Sequence, residues 1–135
     1  MVSEDALRKA GDLLDRRFGV DALWLFGSEA RGQAREESDL DLAGLFRRRP
    51  TAVERLDAAG ELAELLGREI DLVDLEQASP ILGMQVLRTG RLLVDRVPAR
   101  RHAFFGRTLN LYEDLKILRR EAERALFRRV SDGRS

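Results

Sequence analysis

The chain has 135 residues, 44% of them hydrophobic, with 24 Lys and Arg against 24 Asp and Glu. That length suits one domain with a real core, and the zero net charge argues against a dedicated duplex-DNA binder, whose phosphate contacts need a basic excess. The lack of cysteine removes disulfides and thiolate metal sites, and with no bilayer-length apolar run and no signal-peptide pattern at the N-terminus, a cytoplasmic protein is expected.

Ser3 to Arg17 has the pattern of an amphipathic helix. Ser3 can cap it, Glu4 and Asp5 suit its positive end, and Ala6, Leu7, Ala10, Leu13, Leu14 and Phe18 trace one face before Gly19 ends it. Val20 to Phe26 is a nearly unbroken apolar run, expected to form a central strand covered on both faces. It stops at Gly27-Ser28, and Ser28 to about Arg35 is expected to be a short helix whose first N–H groups point back toward the strand end. A glycine there lets the backbone approach an oxyanion, and a helix N-terminus supplies donors to it.

Ser38 to Phe46 is the second expected strand. Side chains alternate along a strand, so Asp39 and Asp41 project together while Leu40 and Leu42 enter the core. Gly44 is weak in a strand interior and points to a bulge or a close approach. Thr51 to Leu66 predicts a helix with Val53, Leu56, Ala59, Ala63 and Leu66 on one side and Leu62 beside them, stopped by Gly67. Glu69 to Leu75 predicts a third strand, with Ile70, Leu72 and Asp74 facing one way and Asp71, Val73 and Leu75 the other. Ser79-Pro80 opens a helix to Arg88, Arg91 to Arg96 reads as a short edge strand, and Pro98 begins the longest helix, to about Val130. On that last helix Phe104, Thr108, Leu111, Leu115, Leu118, Ala122 and Ala125 step by fours and threes, a broader face than one packing contact needs. Helices alternating with strands predict an α/β (α+β) domain over residues 1–135, with helices packed on a small mixed β-sheet.

The chemistry concentrates at three places. Gly27-Ser28 suits a phosphate; Asp39 and Asp41 are two carboxylates that repel each other unless a divalent cation neutralises them; Asp71 is a third acid on another strand. Together they are the parts that a Mg²⁺–nucleotide site for phosphoryl transfer requires. Ten residues separate Gly27-Ser28 from Asp39-Leu40-Asp41, and Ala30-Arg31-Gly32 and Ser38 fit the same arrangement. This resembles the signature of the DNA polymerase beta nucleotidyltransferase superfamily. Within it the chain looks like the minimal nucleotidyltransferases that serve as antitoxins in HEPN–MNT toxin–antitoxin pairs, through Ser38-Asp39-x-Asp41-Leu42, Val73-Asp74-Leu75, Arg88-x-Gly90-x-Leu92-Leu93 and Tyr112-x-Asp114-Leu115-Lys116.

The resemblance implies a nucleotidyltransferase fold and a set of roles. Asp39, Asp41 and Asp71 would hold two Mg²⁺ ions, with Asp71 also placed to help deprotonate the acceptor. Gly27 and Ser28 would grip the β- and γ-phosphates of ATP, Arg31 would neutralise the leaving pyrophosphate, and Ser38 would belong to the nucleotide site. It further implies AMP transfer to a tyrosine of a cognate HEPN ribonuclease toxin. The wide apolar face of the C-terminal helix 98–130 is expected to make it a packing and partner-binding element, one side on the domain and the other meeting the toxin or a second copy, the alternative being that the whole face is intramolecular core. Transfer to a small-molecule hydroxyl, and neutralisation of a partner by binding alone, are the rival readings. Arg96 and His102 share the spacing of the HEPN ribonuclease motif, but the remaining residues cannot build its helical bundle, and His102 is expected on the surface near a helix start.

Overall fold

The computed structural model describes residues 2–27 and 39–133. Ser3 accepts from the Ala6 N–H and starts helix α1 (Glu4–Phe18), with Glu4 and Asp5 in its first turn and Arg16 and Arg17 in its last, both favourable to the helix dipole. Strand β1 (Val20–Phe26) follows, buried at every position. Strand β2 (Leu40–Phe46) runs antiparallel to it, and helix α2 (Ala52–Leu66) carries the chain over to strand β3 (Ile70–Asp74), which lies parallel to β2. A 3₁₀ turn at Leu75–Gln77, helix α3 (Pro80–Thr89), strand β4 (Arg91–Asp95) and helix α4 (Pro98–Ser131) complete the order. The mixed sheet has strand order β3-β2-β1-β4, β4 pairing antiparallel with β1.

Alternation along the strands divides the interior in two. On one face Leu7, Ala10, Leu14 and Phe18 of α1 and Ala58 and Leu62 of α2 meet Leu23, Leu25, Leu40, Leu42 and Leu72. On the other, Val86 of α3 and Phe104 of α4 meet Ala22, Trp24, Phe26, Ala43 and Leu45. Each fully buried leucine stabilises the fold by about 1.5–3 kcal/mol, whereas an exposed ion pair such as Arg8–Asp5 is screened by water and adds little. The two cores, not the abundant surface charge, hold the sheet.

The face of α2 differs from expectation. Val53 and Leu56 are 68% and 74% exposed, while Ala58 and Leu62 are buried and Ala59 and Leu66 partly so. Two adjacent apolar stripes compete on this helix, and the one carrying the small Ala58 sits against the sheet, where a short side chain permits close approach. Thr51 caps α2 with a full capping box to Glu54, and Gly67 ends it in the left-handed region. The third strand is one residue shorter than its pattern at each end: Asp74, its buried last residue, pairs with Gly44 and accepts from the Glu76 N–H, so Leu75 enters the 3₁₀ turn.

Gly44 is a close approach. A Cβ there would lie 2.5 Å from Cζ of Phe46, whose ring covers the glycine and meets Phe18 edge-on at 5.6 Å. The register irregularity of the β1–β2 ladder lies on β1 between Val20 and Ala22. There the buried Asp21 is answered by Arg100 of α4, which donates to Asp21 Oδ2 (3.0 Å), the Phe46 carbonyl (2.7 Å) and Glu76 Oε1 (3.4 Å). This contact fixes the start of α4 against the sheet.

Farther along, α4 leaves the core. Phe104 and Thr108 are its buried residues, Thr108 lying against Gly83 of α3, whereas Leu111, Leu115, Leu118, Leu126 and Phe127 are exposed. The alternative in which the whole apolar face is intramolecular core is therefore ruled out beyond Thr108 among the described residues.

Phe46 is too well packed to yield, so Gly44→Ala should cost about 1–3 kcal/mol by overpacking. Gly60, inside α2 with no neighbour within 4 Å of an added Cβ, should behave oppositely, Gly60→Ala gaining about 0.5–1 kcal/mol. Urea melts of both variants check the pair of signs.

Candidate active site

The site is built from strand register. Asp41 is paired across β1 with Phe26 and across β3 with Asp71. Parity puts Asp41 and Asp71 on the face that holds Ala43, Leu45 and Val73, and Asp39, one residue before β2, shares that side. Leu40 and Leu42 are fully buried on the opposite face, as the sequence pattern predicts. Asp71 is exposed and Asp41 half-buried.

Gly27 completes the arrangement. It follows β1 directly with φ of 77°, in the left-handed region that disfavours other residues, and a Cβ there would collide with Oδ2 of Asp41. The Asp41 carboxylate thus lies against bare backbone where β1 turns. Ser28, Arg31 and Ser38, and the short helix expected over 28–35, lie outside the described residues.

Burial raises the pKa of the Asp41 carboxyl above its ordinary value, and the negative charges of Asp71 and then Asp39 raise it further. All three acids therefore act in one field. Among the described residues no group of three His, Asp or Glu is gathered tightly enough to hold a metal ion by itself. The donor set nevertheless suits a hard cation: carboxylate oxygens in mutual repulsion, one of them partly withdrawn from water. Asp74, the other buried acid nearby in sequence, points elsewhere, toward Glu76 N–H and Arg49 (3.9 Å).

The family described as Polymerase beta, Nucleotidyltransferase matches residues 8–99, which carry the glycine turn and all three acids. The chain belongs to this nucleotidyltransferase family. The protein adenylyltransferase MntA of Shewanella oneidensis is 33% identical over 94 residues, 70% of this chain and 67% of that protein. Among solved structures, a chain of a toxin–antitoxin complex with AMP-PNP superposes with a TM-score of 0.79 at 28% identity, covering 93% of this chain and 99% of that one. A structure of the tri-AMPylated S. oneidensis HEPN toxin with its MNT antitoxin gives 0.76 at 26% identity, with the same coverage. The nucleotidyltransferase fold is thus shared over nearly the whole length, α4 included. Among the described residues no helix is long and apolar enough to cross a membrane.

Two features of this nucleotidyltransferase escaped the sequence pattern. The Arg100 contacts join residues far apart in the chain, and no local motif marks them. A cavity of about 460 Å³ lies between β1, β4, α3 and the first turns of α4, lined by Trp24, Leu87, Gly90, Leu92, Arg101, His102 and Phe105. His102 is on the surface near the start of α4, as expected, but it borders this cavity.

The raised pKa of Asp41 has a definite consequence for stability. The folded state binds its proton more tightly than the unfolded state, so this group's contribution becomes unfavourable as pH rises from the unfolded value, about 3.9, through the raised folded one. Without metal, Asp41→Asn should therefore melt higher than wild type at pH 7, and the advantage should shrink as pH falls through the raised folded value toward about 4 and be absent below it. Melting curves across that range check the sign.

Proposed function

We propose that this nucleotidyltransferase is an antitoxin that transfers AMP from ATP to a tyrosine hydroxyl of a cognate HEPN toxin and thereby neutralises it. The observation that carries the reading is the placement of Asp41 between Gly27 and Asp71, an acidic cluster beside a bare-backbone turn, in a chain whose structural relatives are antitoxins. Binding alone would give no reason to keep three mutually repelling acids on one face. Transfer to a small molecule would call for an additional surface to hold that acceptor, whereas the exposed apolar length of α4 suits a protein partner.

In the reaction the tyrosine oxygen forms a bond to the α-phosphorus as the bond from that phosphorus to the β-bridging oxygen breaks, releasing pyrophosphate. Asp39, Asp41 and Asp71 would hold Mg²⁺, two ions in all, whose charge when bound offsets that of the triphosphate and of the departing pyrophosphate. Gly27 and Ser28 grip the β- and γ-phosphates through backbone N–H groups, and Ser38 completes the nucleotide site. Arg31 neutralises charge on the leaving group. Asp71, exposed to an incoming acceptor, takes the proton of the attacking hydroxyl.

Asp39→Asn and Asp41→Asn should each lower transfer by ~10²-fold or more, about 2.7 kcal/mol of barrier, without unfolding the protein. Asp71→Asn should lose turnover while retaining ATP affinity. Mass spectrometry of the partner after incubation with ATP reads the added AMP; an unmodified partner that is still neutralised would establish binding alone as the function.

The outer half of α4 is the surface proposed for the partner. Leu118, 60% exposed, should tolerate Leu118→Asp with an unchanged melting curve while partner binding falls at least tenfold. Titration calorimetry against the toxin measures it.

A further inference from the structure

Gly90 lies where α3 ends, against β1. A Cβ on it would come within 3.4 Å of both the Leu25 carbonyl and Cδ1 of Trp24. β4 begins immediately after it, and Arg91 pairs with Leu25. Gly27 is two residues farther along β1, about 6–7 Å at the rise of a strand. The 460 Å³ cavity lined by Trp24, Gly90, Leu92 and Phe105 therefore opens on the sheet face that carries Asp41, one strand over from the phosphate turn.

Its chemistry is selective. Phe105 is 43% exposed and Leu92 38%, apolar surface that a ligand would cover. Arg101 and His102 border the cavity, and Arg101 pairs with Asp95 at 3.1 Å. Arg101 Nε and Asp95 Oδ1 are both buried without a hydrogen-bond partner among the described residues, leaving one donor and one acceptor in that pair. An aromatic wall with a few polar groups at its edge, in a volume that holds a nucleoside, suits a planar heterocycle presenting both donors and acceptors.

We propose that this cavity receives the base of the nucleotide substrate, with Phe105 as its stacking surface and Arg101 and His102 reading its edge. The inference rests on the nucleotidyl-transfer reading and adds a specificity site to it. Leu25, which Gly90 abuts, is two residues from Gly27, a separation on the order of 6–7 Å that a ribose and its 5′ linkage can cover, so a base held here would leave its phosphates toward the turn.

Trp24 is the chain's one tryptophan, and its fluorescence reports this cavity directly. With Mg²⁺ present, ATP should change Trp24 emission, whereas inorganic tripolyphosphate should compete with ATP without producing that change. Phe105→Ala, at an exposed position, should raise KM for ATP about tenfold with kcat unchanged, and Leu92→Gln should act in the same direction. If tripolyphosphate competes but ATP leaves Trp24 emission unaltered and Phe105→Ala keeps the wild-type KM, the base lies elsewhere and only this inference falls. Loss of toxin binding in Phe105→Ala with KM unchanged would make the cavity a protein contact and overturn it equally. If neither ATP nor tripolyphosphate binds, the nucleotide reading fails and this inference with it.

Discussion

The acidic site depends on one constraint, the double register of β2. Antiparallel pairing with β1 puts Asp41 beside Phe26, and parallel pairing with β3 puts it beside Asp71. A slip of one residue in either ladder would send the carboxylate into the apolar layer beneath α1 and α2, where an unpaired charge costs several kcal/mol. Leu40 and Leu42 prevent the slip, because the same shift would expose both. The buried leucines on one face thereby fix the acids on the other.

The two sheet faces consequently have different tasks. The α1/α2 side is a closed core whose helices are properly capped and whose contacts are leucine on leucine. The α3/α4 side must cover Trp24 and Phe26 and still leave the strand ends at Asp41 and Asp71 accessible. It does so by crossing α3 and α4 at Gly83 and Thr108 and by fixing α4 at its first turn through Arg100. The guanidinium donates to one oxygen of a buried aspartate and to a strand-end carbonyl together, a charge-assisted arrangement that withstands burial better than a lone ion pair. Past Thr108, α4 has no sheet beneath it, and its apolar stripe continues outward.

Such a site carries a stability cost in the free protein. Burial first, and then the charges of Asp71 and Asp39, raises the pKa of the half-buried Asp41, and Gly27 adds a backbone conformation that few residues adopt. The cores are large enough to tolerate this, and a bound cation would relieve the repulsion. On the proposed function, the repulsion sits at the acids because carboxylates are what would hold the cations that offset the charge of a triphosphate.

How much of this the sequence determined follows from the range of each interaction. The described elements, the alternation of Asp39 and Asp41 against Leu40 and Leu42 and the cap at Ser3 are set within a few residues, and local pattern reads them correctly, whereas it leaves Gly44 between a bulge and a close approach. The motif of Gly27, Asp39 and Asp41 is likewise short, so the family was legible. Which stripe of α2 is buried, the end of β3 at Asp74, the Arg100–Asp21 contact and the cavity at Trp24 and Phe105 were decided only by tertiary structure. Each depends on groups brought together from distant parts of the chain, and periodicity says which residues share a face but not what that face will meet.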